Sequence, residues 1–295
     1  MGLVSLNEEK TIGSAIDRLL DETKGAEAEL IVVAGGTDGT IEVARTHLAS
    51  RERSTLIVDS SPRGKPAALN SIMSSARGRF IVLSDGDVLI GKGSLSRLVQ
   101  SMKAEGVGGA SGRVVGSPGK YNLVERVCDY LTEIMNISRK AEIEKSGTID
   151  LASGYLLGIR AELVKSIPED TNADDGYISA TIRSQGLKIA YVENAIVEIR
   201  YPKTIEDFLK QKSRTRYGHL QTGRQFSRVG ARSTLGEVTE SVKMRKSLSP
   251  EHRSIIILAV ASILVGFTWI IAYARILAPW MFKRRIWQPI ASTKG

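Results

Sequence analysis

Arg79-Phe80-Ile81-Val82-Leu83-Ser84-Asp85-Gly86-Asp87 joins an apolar run to two carboxylates that stand one residue apart. The run is short, holds β-branched residues and stops at turn formers, so it reads as a buried strand that delivers Asp85 and Asp87 at its carboxyl end. Asp and Gly after a strand are also ordinary turn chemistry. As a site, a carboxylate pair splayed around a glycine suits a hard divalent cation that must also hold a diphosphate.

Working outward, similar apolar runs recur upstream with helical stretches between them. Gly2 to Leu6, Leu30 to Val33 and Thr55 to Val58 read as strands; Asn7 is placed to cap a helix that runs through Leu20, and further helices start at about Thr40 and about Pro66. Strands separated by single amphipathic helices imply an α/β fold with right-handed crossovers and a largely parallel sheet. Ligands of such sheets bind beyond the carboxyl ends of the strands, where Asp85, Asp87, Thr37, Asp38 and Lys65 fall.

Downstream the rhythm changes. Gly106 to Val115 is strand-like, Tyr121 to Glu144 reads as a long helix, and Thr148 to Ile159 is apolar around Ser153-Gly154. A loop from Pro168 to Ala173 then presents Asp174-Asp175 at a helix start, before strands at Lys188 to Val192 and Ala195 to Arg200. From Thr204 to about Arg232 the chain is basic and amphipathic.

Charge divides the chain. Of the formal +9, residues 1–202 hold 24 Lys and Arg against 27 Asp and Glu, and residues 203–295 hold 17 against 5. The basic residues crowd around Ile255 to Ala274, an uncharged span of about 30 Å as a helix, long enough to cross a bilayer. Trp269, Tyr273, Trp280 and Trp287 lie toward its end, as interfacial aromatics do. This placement points to an anionic lipid surface and away from nucleic acid. One cysteine, Cys128, and three scattered histidines exclude an internal disulfide and a cysteine-based zinc site. Met1 to Leu6 is too short an apolar stretch for a signal peptide.

Taken in order, Asn7-Glu8-Glu9, Gly36-Thr37-Asp38-Gly39-Thr40, Gly64-Lys65-Pro66-Ala67-Ala68-Leu69-Asn70, Asp85-Gly86-Asp87, Asp174-Asp175 and Gln211-Lys212-Ser213-Arg214 resemble the motifs of family 2 glycosyltransferases of the GT-A fold. The likeness covers about residues 2–221. It implies a nucleotide-sugar donor, a divalent metal (Mg or Mn), inversion at the anomeric carbon, and a lipid-linked or saccharide acceptor; polyprenyl phosphate is the close variant. By the same resemblance Asp87 binds the metal with Asp85 beside it, Asp38, Lys65 and Asn70 line the donor site, and Asp174 and Asp175 form the acidic pair. Asp175 is the expected general base, since a one-step displacement needs a carboxylate to take the acceptor's proton; both also suit a helix start as caps. Gln211 and Arg214 match a Gln-x-x-Arg-Trp element of cellulose-synthase-like members, with Thr215 in place of the tryptophan. No acidic residue follows the second strand, where Val32-Val33-Ala34-Gly35-Gly36 stands.

The expected organisation is therefore a GT-A domain over residues 1–202, a basic interfacial segment over 203–254, a transmembrane helix over 255–274 and a basic aromatic tail over 275–295. The catalytic domain is expected on the cytosolic face of the cell membrane, adding one or a few hexosyl or N-acetylhexosaminyl units. A non-catalytic nucleotide-sugar-binding protein on the same scaffold is the alternative reading.

Overall fold

The computed structural model describes residues 1–49, 51–226, 243–278 and 293. Its first half is a run of strand-helix units: β1 (Gly2–Leu6), α1 (Ile12–Glu22), β2 (Leu30–Gly35), α2 (Thr40–Leu48), β3 (Ser54–Asp59), α3 (Lys65–Ser75) and β4 (Phe80–Asp85). The short β5 (Leu89–Ile90), α4 (Ser94–Met102), β6 (Val107–Gly116), α5 (Leu123–Ser146), β7 (Leu156–Arg160), α6 (Asp174–Ser184), β8 (Lys188–Ile199) and α7 (Ile205–Gln225) follow, and Ile255–Leu277 forms α8.

One eight-stranded sheet runs in the order β3-β2-β1-β4-β7-β6-β8-β5. The first four of these positions are parallel. At β4 the direction reverses: β7 pairs antiparallel to β4 and to β6, while β6 and β8 are parallel. The sheet is thus mixed, where the sequence suggested one largely parallel. Local periodicity reports that a segment is a strand, and says nothing of which way it enters the sheet. The two expected strands on either side of Glu193-Asn194 are one strand, β8, whose register against β6 slips between Gly112 and Arg113. The turn-like residues form an irregularity within the strand.

Both faces are covered. On one, Leu3, Val32, Val82 and Val114 of the sheet pack with Ile16 of α1, Leu98 of α4, Tyr130 of α5 and Phe208 of α7. On the other, Val4, Ile31, Leu83 and Ile189 pack with Leu69 and Ile72 of α3 and Ile178 and Ile182 of α6. Each such buried aliphatic chain contributes about 2 kcal/mol relative to exposure.

Helix ends follow their sequence. The Asn122 side chain accepts from Glu125 N while Glu125 reaches back to Asn122 N, a reciprocal cap for α5. Thr204 caps α7 through Asp207 N at 3.1 Å. Asn7, expected as a cap, does other work: α1 begins at Ile12, and Asn7 adopts φ 55 so that its Oδ1 accepts from Thr37 N at 2.8 Å. That contact ties the loop after β1 to the loop after β2.

α8 is the one helix among the described residues long and apolar enough to cross a membrane. Its inner face packs on α7 and α5. The segment before it is fastened to α5 and the end of β8: His252 Nε2 lies 2.7 Å from Asp129 Oδ2, Tyr201 donates to Asp129 Oδ1 at 3.0 Å, and Ser249 Oγ lies 2.7 Å from His252 Nδ1. Arg228, Arg232 and the stretch from Trp280 to Ile290, part of the expected basic tail, lie outside the described residues.

Candidate active site

The crevice lies beyond the carboxyl ends of β1, β2 and β4, and the loops that build it are close-packed. β4 ends on Asp85. Gly86 follows because nothing larger fits: a Cβ there would collide with the Glu8 carboxylate and stand 2.6 Å from Ser5 Oγ. Glu8 is buried beneath this turn, accepting from Ser5 Oγ at 2.7 Å while its own N–H donates to Thr40 Oγ1 at 2.6 Å. The Asp85-Gly86-Asp87 turn therefore rests on a floor supplied by the first loop of the chain.

Lys65 enters from the start of α3, after Gly64 at φ 117. Its ammonium lies 2.8 Å from Asp85 Oδ1 and 3.5 Å from Asp174 Oδ2, with all three side chains largely buried. Burial disfavours the ammonium, but attraction from Asp174 and Asp85 outweighs it and holds Lys65 above its ordinary value. Asp85 is pushed up by burial against the pull of Lys65. Asp87 is pushed up to about 7, first by burial and then by repulsion from Asp85, with Lys65 and Arg200 opposing. The crevice holds more buried acid than its cations balance.

α7 closes the opposite wall. Arg214 is held below its ordinary value by burial, against attraction from Asp174, Asp85 and Asp175. Gln211 Nε2 donates to Tyr155 OH at 3.5 Å. Tyr155 stands just ahead of β7, anchored by Ser84 Oγ donating to its carbonyl at 2.9 Å, and burial among Asp87 and Asp85 raises its phenol. Neither Tyr155 nor Arg200, at the end of β8, stood out in the sequence. Tyr155 follows Ser153-Gly154, a polar break in that apolar run, which was the available signal.

The structure thus brings together Lys65, Asp85, Asp87, Asp174, Asp175, Gln211 and Arg214, drawn from four separate segments. Asp175 sits in the first turn of α6, with Oδ1 accepting from Gly176 N at 2.8 Å and Oδ2 from Gly154 N at 3.2 Å. Asp174, not Asp175, faces Lys65. Two expected donor-site residues are engaged with backbone. Asn70 exchanges two 2.8 Å hydrogen bonds with Ile167, pinning the loop that leads to Asp174. Asp38 accepts from Thr40 N at 3.1 Å and Glu9 N at 3.2 Å, securing the start of α2.

The donor set fits a divalent cation of a particular kind. Among the described residues no three His, Cys, Asp or Glu side chains form a cage for a metal. Asp85 and Asp87 supply oxygen only, and the Asp87 carboxyl is raised by burial and by repulsion from Asp85, both of which a bound cation would offset. This is the environment of an ion held by one or two carboxylates and completed by substrate phosphates.

Comparison with known proteins agrees with this architecture. The sequence model described as Glycosyl transferase family 2 matches residues 2–167. An N-acetylglucosaminyltransferase of Bradyrhizobium diazoefficiens is 21% identical over 69% of this chain and 45% of its own length; another, of Azorhizobium caulinodans, is 21% identical over 77% and 56%. The chain spans about half the length of the curated relatives it matches. Among solved structures, a mannosyltransferase from Pyrobaculum calidifontis in complex with GDP-Man and Mn2+ superposes with a TM-score of 0.72 at 19% identity, over 94% of this chain and 86% of that one. Glucosyl-3-phosphoglycerate synthase from Mycobacterium tuberculosis, in complex with Mn2+, UDP-Glc and phosphoglyceric acid, gives 0.52 at 20% identity, over 75% and 78%. These likenesses establish the fold.

Proposed function

The chain belongs to glycosyl transferase family 2, and on that premise we propose that it moves a hexosyl or N-acetylhexosaminyl unit from a nucleotide-sugar donor to a lipid-linked or saccharide acceptor at a membrane, with inversion. The observation that carries this reading is the meeting of Asp85 and Asp174 on the Lys65 ammonium, with Asp87 and Arg214 beside them. N-acetylglucosamine is the sugar in the names of the curated relatives, and mannose and glucose are those of the structural neighbours.

Asp87 and Asp85 would hold Mg or Mn, which when bound offsets the charge of the donor diphosphate. The chain's own cations do the same work from the walls. Lys65 and Arg214 face the acidic cluster from opposite sides, where they can carry charge that develops on the departing nucleoside diphosphate. The acceptor oxygen forms its bond to the anomeric carbon as the bond from that carbon to phosphate oxygen breaks. Asp175 takes the acceptor's proton; each of its oxygens accepts one backbone N–H and keeps a lone pair for this purpose. We assign residues 1–202 together with α7 to this catalytic unit and the basic segment beyond α7 to the membrane.

The engagement of both Asp175 oxygens with backbone N–H groups also favours a second reading, in which this carboxylate serves to hold the start of α6 against Gly154. A polyprenyl phosphate acceptor arrives ionised and needs no base.

The test is a thermal-shift screen of nucleotide sugars with and without Mn2+, on the native chain and on Asp87→Ala. A bound donor stabilises the fold by mass action. The expected result is a metal-dependent rise in melting temperature with one donor, absent in Asp87→Ala. A response that is equal in both proteins overturns the site assignment.

A further inference from the structure

α8 has two unlike faces. Toward the protein, Ala261, Leu264, Val265, Thr268 and Trp269 are buried, and the Arg216 guanidinium of α7 lies over the Trp269 ring, 5.5 Å from its centroid. Outward, Ile256, Ile263, Phe267, Ile270, Tyr273 and Leu277 are 71%, 60%, 54%, 65%, 45% and 75% exposed. These positions recur every three, four or seven residues, so they form one apolar stripe along about 34 Å of helix. A continuous apolar strip of this length marks a contact surface.

A helix that crossed the bilayer while docked this way would draw α5 and α7 into the hydrocarbon with it. Those helices carry Lys140, Glu144 and Lys145, and Lys210 and Arg224, all exposed. Each such charge costs about 2.5 kcal/mol or more at the bilayer centre. We propose that α8 stays docked on α5 and α7 and lies in the plane of one leaflet, its outer stripe in the boundary between headgroups and acyl chains, so that the chain is held on an anionic bilayer and not through it.

Charge selects the occupant. Residues 243–278 contain five Lys or Arg and one Glu, and Lys243, Lys246 and Arg253 are exposed at the amino-terminal end of α8. This collar attracts anionic headgroups and repels a second copy of itself. The arrangement also couples membrane and crevice, because α7 presents Gln211 and Arg214 to the acidic cluster and Arg216 to Trp269.

The test uses the full chain with Cys128→Ser and single cysteines at Ile256, Ile263, Ile270 or Leu277, each carrying an environment-sensitive fluorophore, on phosphatidylcholine vesicles with and without phosphatidylglycerol. Lipids quenching at shallow or deep positions report depth. The expected result is shallow quenching that agrees within about twofold at all four sites, requires phosphatidylglycerol, and leaves Thr268→Cys closed to a membrane-permeant maleimide. A graded profile deepest at Ile263 and Ile270, with Thr268→Cys open to lipid, establishes a span and overturns the proposal. So does self-association without vesicle binding. Separately, Ile263→Gln with Phe267→Gln and Ile270→Gln should weaken vesicle partitioning more than about tenfold while donor-induced thermal stabilisation in solution is unchanged. The glycosyl-transfer reading therefore stands or falls apart from this one.

Discussion

The Lys65 ammonium lies 2.8 Å from Asp85 Oδ1, joining the first residue of α3 to the last residue of β4. Two acidic segments, the end of β4 and the start of α6, meet on this cation. Removing it in Lys65→Met leaves buried carboxylates uncompensated, which costs about 3 kcal/mol. Chemical denaturation should show that loss, with partial recovery when Mn2+ and a nucleoside diphosphate are added together. An unchanged midpoint would mean that the pair contributes nothing net.

Asp175→Asn keeps the shape of the side chain and the Gly154 contact while removing the proton acceptor. Turnover on a hydroxyl acceptor should fall about a hundredfold to ten-thousandfold, with donor affinity within a few fold, read by comparing kcat with donor titration. Undiminished turnover would select the phosphate acceptor.

Gly86→Ala forces a methyl into Glu8 and Ser5. About 1 to 3 kcal/mol of stability should be lost, along with the metal-dependent part of donor binding. Adding Glu8→Ala should restore some of the stability by making room. If the single variant melts like the native chain, the turn has slack that the packing does not show.

Tyr155→Phe removes a hydroxyl held 3.5 Å from Gln211 in the middle of the cluster. Turnover should drop about tenfold, the size of one hydrogen bond, and melting should change little. A drop in stability without a drop in turnover would make Tyr155 a packing residue only.

The Cys128 thiol is buried and pushed up to about 12, by that burial first. In the unfolded chain it ionises near pH 8.5. The folded state therefore holds a proton that the unfolded state has released, and stability falls as pH climbs through that interval, by about 1.4 kcal/mol per unit. Denaturation midpoints from pH 7 to 10 should decline more steeply in the native chain than in Cys128→Ala. Iodoacetamide at pH 8 should label the thiol only after unfolding.

The residues that parallel crossovers deliver to a strand end were legible: Asp85, Asp87, Asp38 and Lys65 all follow strands, and Asp174-Asp175 opens a helix as expected. What periodicity could not convey was direction. β7 enters antiparallel, so Tyr155 is brought to the site by pairing with a strand about 70 positions away in the chain. Nor does residue type tell a ligand contact from a backbone clamp. Asn70 and Asp38 have the right chemistry for a donor site, and the structure turns them to Ile167 and Thr40. In α8 the apolar count is high all round, so only the packed structure separates the side that touches protein from the side that does not.

The Asn70–Ile167 clamp joins positions 97 residues apart. Closing so long a loop costs entropy that local contacts cannot repay early. The loop bearing the acidic pair is therefore expected to settle late in folding, once the strands and helices that it bridges exist. A chain caught short of that step would look native in its helices and strands and still be unable to work.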